Sequence, residues 1–399
     1  MRLLWFVSTL EDTNFLKEFQ KSCEFAIDVF NINFITRFTL LGHNGKHILP
    51  KFSSDYEQHS VEENLEKVFN VLSGRLNLSD ASKAYKATKA QLASYIKSIQ
   101  NEKVVFIIPS GRHVHHVAAT NFAKERKLER IYINYSNFPG YTFFDPEGTD
   151  CAASIFKDPT KLNRLFNKRE INIDETFRNF SELKKQQKNI PQKATNGIKN
   201  KIKSGAFIID TILQKTTNVI GDRRVGVGVK TKNDVEQISY STIDLRKPFL
   251  FFPLQVSTDQ QILVNYDGGC IYKAIKQAYE YSKLKALPLY VREHPAEANK
   301  NDVRAYLKKM AVKDDFFVTD APVSDLLSKC EEVITVNSTV GLEARINRKP
   351  VHFLGKSFYE KATDLQLAYY LKFYLVAVDY HKPVMYDDLS NEIISYYAK

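Results

Sequence analysis

Residues 334–355 read ITVNSTVGLEARINRKPVHFLG, and these 22 residues hold a strand, a turn, a helix and a second strand. The β-branched run Ile334, Thr335, Val336 suits a parallel strand covered on both faces. Asn337, Ser338 and Thr339 then offer hydroxyls and an N-cap where a helix begins. Gly341 lets the backbone approach a ligand closely. The first turn of such a helix presents unpaired N–H groups and the positive end of its dipole, which suits a phosphate without requiring a basic side chain. Val340, Leu342, Ala344 and Ile346 cover the sheet-facing side, and Lys349-Pro350 ends the helix before the strand VHFLG. The same Ser-Thr pair also caps ordinary βαβ units, so this segment alone speaks to fold more than to function.

Two upstream segments share its design. Residues 286–300, ALPLYVREHPAEANK, run an apolar strand from Leu287 to Val291 directly into Arg292, Glu293, His294 and Pro295, where the proline stops the strand. Residues 249–264, FLFFPLQVSTDQQILV, give an apolar strand from Phe249 to Leu254 and then a polar loop with Gln255, Ser257, Thr258, Asp259 and Gln261. In an open α/β sheet, ligands bind beyond the carboxyl ends of the strands, so all three loops are expected on one rim. A lone His-Pro at a strand end is commonly a polar surface feature, and an Asp after Ser-Thr is commonly a helix N-cap.

Together these residues resemble the bacterial capsule and O-antigen polysaccharide enzymes that transfer β-linked Kdo (3-deoxy-D-manno-octulosonic acid) from CMP-Kdo. The resemblance lies in PLQVSTDQQI, in REHP, and in VNSTVGLEARINRKPVHFLGKSFY with its trailing Gly355-Lys356 and Tyr359, spanning roughly residues 249–359. A fainter similarity covers residues 106–150, with a strand, a Gly-containing turn, a helix, a strand and an aromatic loop. There the chain departs from the pattern. Where relatives often carry Glu, near the end of the second strand, it reads Ile133, Asn134, Tyr135, so an acceptor-side carboxylate is sought at Asp145 or Glu147.

The resemblance implies an α/β protein of two Rossmann-like domains facing a cleft, the GT-B glycosyltransferase plan. It implies a retaining transfer, hence two displacements and a protein nucleophile, for which Asp259 is the best placed carboxylate. His294, protonated, is expected to assist the leaving phosphate. Arg292, Pro295, Asn337, Ser338, Thr339, Gly341, Glu343 and Lys356 are expected on the nucleotide, with Glu343 reaching ribose hydroxyls. Ser110, Gly111, Arg112, Gln255 and Gln261 are expected on the sugar and acceptor side. No D-x-D pair stands out, so no metal and no cofactor are expected beyond CMP-Kdo as donor substrate. Two rival readings use the same residues: another CMP-sugar transferase such as a sialyltransferase, or a noncatalytic glycan- or nucleic-acid-binding module.

Length and composition accord with two domains. At 399 residues and 43% hydrophobic content, the chain can bury two cores of ordinary size. The first half alternates as strand RLLWFVST, helix from Phe15 to Phe30, strand NFITRFTLL, helix from about Ser79 to Gln100, strand KVVFIIP, helix, strand RIYIN. Residues 157–204 hold 13 Lys/Arg against five Asp/Glu and read as a solvated helical connector. The expected division is 1–160, a connector over 161–204, and 205–399, with the last helices crossing back to the first domain.

The net charge of +11 calls for an anionic partner or a solvated basic face. No zinc pattern, recognition helix or aromatic RNA signature accompanies it, so nucleic acid is not expected. A lipid-linked glycan acceptor and peripheral contact with an anionic membrane fit better. Cys23, Cys151, Cys270 and Cys330 are far apart with no C-x-x-C, which indicates neither zinc nor disulfides. Nowhere do 18 apolar residues follow one another, so the expected location is cytoplasmic, peripheral at the inner membrane. His113, His115 and His116 lack the i, i+4 spacing of a helical metal pair, and VGVGVK near Val225 lacks the third glycine of a dinucleotide fingerprint.

Overall fold

Strands covered on both faces read as unbroken apolar runs, and two such runs sit at the centres of two separate sheets. The computed structural model describes residues 1–57, 60–99, 102–138, 140–186, 198–222, 237–297 and 300–398. VGVGVK and residues 187–197 of the basic connector lie outside the described residues. The chain forms two compact units, one of Met1–Lys157, Thr195–Val227 and Lys372–Lys399, the other of Asp158–Ala194 and Gly228–Leu371.

In the first unit, β1 (Arg2–Val7), β2 (Ala26–Asn31), β3 (His47–Ile48), β4 (Val104–Pro109), β5 (Glu129–Tyr135) and β6 (Thr142–Asp145) are ordered β3-β2-β1-β4-β5-β6. All neighbours are parallel except β6, which runs antiparallel to β5. The pleat sends Leu3, Trp5 and Val7 to one face, where they meet Phe15, Phe19, Ile393 and Ile394. It sends Leu4 and Phe6 to the other, against Leu92, Phe106 and Phe122.

Two elements of this half differ from the sequence expectation. Residues 26–31 form a strand inside the span read as helix, because Asp28 breaks the apolar run yet is buried and satisfied. It accepts from Lys46 N at 2.7 Å, Tyr95 Oη at 2.8 Å and Arg2 Nη1 at 3.2 Å. NFITRFTLL, rich in β-formers, is instead the helix Phe34–Thr39 with Asn33 at its N-cap position. Asn33 Oδ1 accepts from Asp222 N at 3.0 Å and Gln214 Nε2 at 3.3 Å, so tertiary bonds override local propensity.

In the second unit, β7 (Leu250–Pro253), β8 (Leu289–Arg292), β9 (Phe316–Val318), β10 (Glu332–Thr335) and β11 (Val351–Phe353) form an all-parallel sheet ordered β11-β10-β7-β8-β9. Leu250 and Phe252 pack on Ile275, Leu289 and Leu307, while Phe249 and Phe251 pack on Tyr290, Leu326 and Ala344. Each sheet is thus a Rossmann-like, doubly wound sheet whose strand order reverses once, between β1 and β4 in one unit and between β7 and β10 in the other.

The units interleave along the chain more than the expected division of 1–160, 161–204 and 205–399. The helix Ile198–Thr217 docks on the first unit through buried Asp210 and Gln214. The helix Leu389–Tyr397 returns there as well, with Ser390 Oγ donating to Phe19 O at 2.7 Å. No helix among the described residues is long and apolar enough to cross a membrane.

Candidate functional site

The order reversal in the second sheet leaves a crevice beyond the carboxyl ends of β7 and β10, and the loops that follow these strands are laced together by side-chain amides. Gln255 Nε2 donates to Asn337 Oδ1 at 3.1 Å, and Asn337 N donates to Gln255 Oε1 at 3.2 Å. Asn337 Nδ2 reaches Gln261 Oε1 at 2.8 Å and Lys356 O at 3.3 Å, and Asn265 Nδ2 joins Gln261 at 2.9 Å. One buried asparagine therefore holds the loops after β7, β10 and β11 in register. A network satisfied in this way is stiff, because breaking any bond strands a desolvated polar group.

Ser338 caps the helix Thr339–Ile346, accepting from Val340 N at 3.2 Å and from Thr335 Oγ1 at 3.0 Å. With both lone pairs used, its own proton is free to point at a ligand. The N–H of Thr339 has no i−4 carbonyl and lies at the positive end of the helix. Gly341 serves packing and not ligand approach: a Cβ there would lie 2.8 Å from Phe353 Cε1 and 2.9 Å from Thr335 Cγ2. Glu343, expected at the ribose, faces Lys184 of the helix Ile173–Gln186 at 3.5 Å, and burial pushes its pKa up. Lys356 directs its ammonium to Asp267 at 2.8 Å in an exposed pair.

At the end of β8, Arg292 is half-buried, its Nε is enclosed without a hydrogen-bond partner, and no carboxylate pairs with it among the described residues. Its neighbour Glu293 is committed to Arg304, 2.8 Å from Nη2 and 3.0 Å from Nε. Next along the rim, His294 Nδ1 accepts from Ala296 N at 3.1 Å, so the ring proton sits on Nε2. Burial lowers the His294 pKa, Glu297 opposes the shift and Arg292 adds to it. The expected protonated His294 is therefore a neutral imidazole presenting an Nε2–H donor. Pro295 is an exposed corner of the turn.

Asp259 is the N-cap of the helix Gln260–Leu263, with Oδ1 accepting from Gln261 N at 2.8 Å. Sequence reading missed Glu297. This buried carboxylate accepts from Ser257 N at 2.7 Å and Ser257 Oγ at 2.8 Å, tying the loop that carries Asp259 to the loop that carries His294.

In the first unit, Ser110 and Gly111 make a tight turn after β4 with φ of 54° and 72°. The hydroxyl of Ser110 is buried without a partner, and Arg112 Nη2 donates to Thr149 O at 3.1 Å. Neither expected acceptor-side carboxylate is poised as a base. Asp145 is fully buried and accepts from Glu147 N, Gly148 N, Ser154 N and Tyr374 Oη at 2.7, 3.0, 2.9 and 2.8 Å, while Glu147 pairs with Lys157 at 2.9 Å.

A group of the first unit that sequence spacing did not reveal is His113 with Asp222. They lie 3.5 Å apart, with Asn70 Nδ2 donating to Asp222 Oδ1 at 2.8 Å and Arg75 Nη1 to Oδ2 at 3.0 Å. Burial opposes the charge on Asp222, yet His113 and Arg75 hold its pKa well below the usual carboxylate range. His115 Nε2 donates to Ile220 O at 2.7 Å and His116 Nε2 bonds Ser8 Oγ at 2.8 Å, so these two rings are committed to core hydrogen bonds. No group of three metal-ligating side chains occurs among the described residues.

Two doubly wound units, one with an arginine unpaired among the described residues, a neutral histidine and a helix N-terminus after the strands of its sheet, define an α/β protein of two Rossmann-like units. The chain belongs to the capsule polysaccharide biosynthesis protein family, which it matches over residues 108–364. It is 26% identical over 125 residues to the capsule polysaccharide export protein KpsS of Escherichia coli, covering 29% of this chain and 32% of that protein. It is 28% identical over 138 residues to protein FixF of Sinorhizobium fredii, covering 34% of this chain and 33% of that one. These matches thus span about a third of each relative. Among solved structures it is similar to Thermosulfurimonas dismutans KpsC, beta Kdo 2,7 transferase, at 12% identity and a TM-score of 0.46, covering 95% of this chain and 93% of that one.

Proposed function

We propose that this chain is a glycosyltransferase of surface-polysaccharide synthesis that moves Kdo from CMP-Kdo to a lipid-carried glycan with retention of the β configuration. The observation that carries the reading is the rim of the second unit's crevice, where Arg292 has no carboxylate partner among the described residues and ends β8, which β7 alone separates from β10 and the helix N-terminus at Ser338-Thr339. A cation, oriented N–H groups and hydroxyl donors suit a single phosphate ester. As CMP departs, negative charge grows on its phosphate. Preorganised donors such as the His294 Nε2–H, the Thr339 N–H and the Ser338 hydroxyl favour that state over the ground state.

Retention requires two displacements. Asp259 attacks the anomeric carbon, the bond to the CMP phosphate breaks, and a glycosyl ester forms on the carboxylate. An acceptor hydroxyl then displaces the carboxylate as its proton passes to a base. The cap bond from Gln261 N supports this role, since an N–H at a helix start favours the ionised form. Asp259→Asn keeps the cap and removes the nucleophile. A folded, CMP-binding variant that still transfers sugar near the wild-type rate refutes the step. Intact-mass measurement of wild type mixed with CMP-Kdo, without acceptor, locates the adduct. Turnover of CMP-sialic acid in place of CMP-Kdo would assign the chain to another CMP-sugar class. Transfer is expected to persist in excess chelator, and loss restored by magnesium would favour a diphosphate-sugar donor.

A further inference from the structure

The helix Ile198–Thr217 is inverted relative to an ordinary amphipathic helix. Its inward side is polar. Asp210 Oδ1 accepts from Ile35 N at 3.0 Å, Gln214 Nε2 bonds Asp210 Oδ2 at 2.7 Å, and Gln214 Oε1 accepts from Gly221 N at 3.2 Å. Its outward side carries Ile208, Ile209 and Ile212 at 63%, 59% and 55% exposure. The helix Phe34–Thr39, which packs against it, exposes Phe38 at 50%, and Leu41 follows at 77%. Scattered apolar residues are ordinary on a surface, but five large ones on two adjoining segments are not.

The charge on these segments has one sign. The sole carboxylate in residues 198–217 is the buried Asp210, and residues 34–41 have none. Lys215 and Arg37 are exposed. Apolar side chains beside exposed cations, with no exposed acid among them, match an anionic lipid surface: the isoleucines enter the acyl boundary while Lys215 and Arg37 stay at the phosphates. We propose that this face of the first unit docks on an anionic phospholipid bilayer. The inference uses only the first unit and does not depend on the transfer reading.

Co-sedimentation of the full chain with vesicles tests it. Wild type should pellet with mixed phosphatidylcholine and phosphatidylglycerol, less so at high salt, and stay largely in solution with phosphatidylcholine alone. The combined variant Ile208→Ser, Ile209→Ser, Ile212→Ser should bind the mixed vesicles at least about tenfold more weakly. Its unfolding midpoint and its affinity for CMP should not change. Arg37→Glu with Lys215→Glu supplies a second variant that leaves the apolar stripe intact and should also weaken binding. Failure of wild type to bind, or undiminished binding by both variants, overturns the proposal. So does self-association of wild type in dilute solution that the serine variant abolishes, because a second copy would then cover the face. CMP affinity read on the same samples separates this failure from failure of the transfer reading.

Discussion

Ser338 caps a helix, and the phosphate role proposed for its hydroxyl is one that substitution can separate from the cap. Ser338→Ala removes the bond from Val340 N, 3.2 Å in the native turn, and should cost about 1 kcal/mol of stability. If the serine proton also meets a phosphate oxygen, CMP affinity should fall by about 1.5 to 3 kcal/mol, the worth of a bond to a charged group. Ser338→Asp acts in the opposite sense on the two quantities. Asp caps as well as Ser, accepts the same bonds from Val340 N and Thr335 Oγ1, and favours the positive helix end, so stability should match or slightly exceed wild type. A carboxylate about 5 Å from a phosphate charge, at an effective dielectric near 20, costs roughly 3 kcal/mol, or about two orders of magnitude in affinity. Calorimetric titration with CMP and urea unfolding of the three proteins supply both rankings. The most stable variant should be the weakest binder. If Ser338→Asp binds CMP as well as wild type does, the turn is a cap only, and the phosphate site must be sought elsewhere.

Two further outcomes follow from burial. Unfolded, an imidazole takes a proton below about pH 6.5, whereas burial holds His115 neutral down to about 4. Between those values the unfolded chain binds more protons, so stability is lost as pH falls through this window. For His115 the loss is about 3 kcal/mol. His115→Gln, which can still donate to Ile220 O, should flatten the pH dependence of the urea midpoint there, and an unchanged slope would place the acid sensitivity on other groups. Gly341→Ala should destabilise the second unit by about 1 to 3 kcal/mol, since its Cβ would press on Phe353 and Thr335. CMP affinity should be kept in the folded fraction, and a selective loss of affinity would return Gly341 to the ligand.

How far the chain alone specified its fold depended on how each segment meets water. Leu3–Val7, Val104–Ile108, Phe249–Phe252 and Ile334–Val336 are legible because strands buried on both faces need no polar residues, and the turns after them because Ser, Asn, Gly and Pro act through their own backbone. The second strand was hidden because Asp28 is buried against partners from three other segments, which local pattern cannot anticipate. The same limit applies to the sites. Sequence order identified His294, Asp259 and the Ser338 turn as loop residues after buried strands, since strand ends are local features, and Arg292, read there as the residue after the strand, is its last residue. Only the folded chain decides that Glu297 ties two of those loops together, that Gly341 is a packing contact, that Glu343 turns to Lys184, and that His294 is neutral. It alone joins His113 to Asp222 and turns three isoleucines to solvent. These are matters of distance and desolvation between groups far apart along the chain, and such energies exist only once the backbone has brought the groups together.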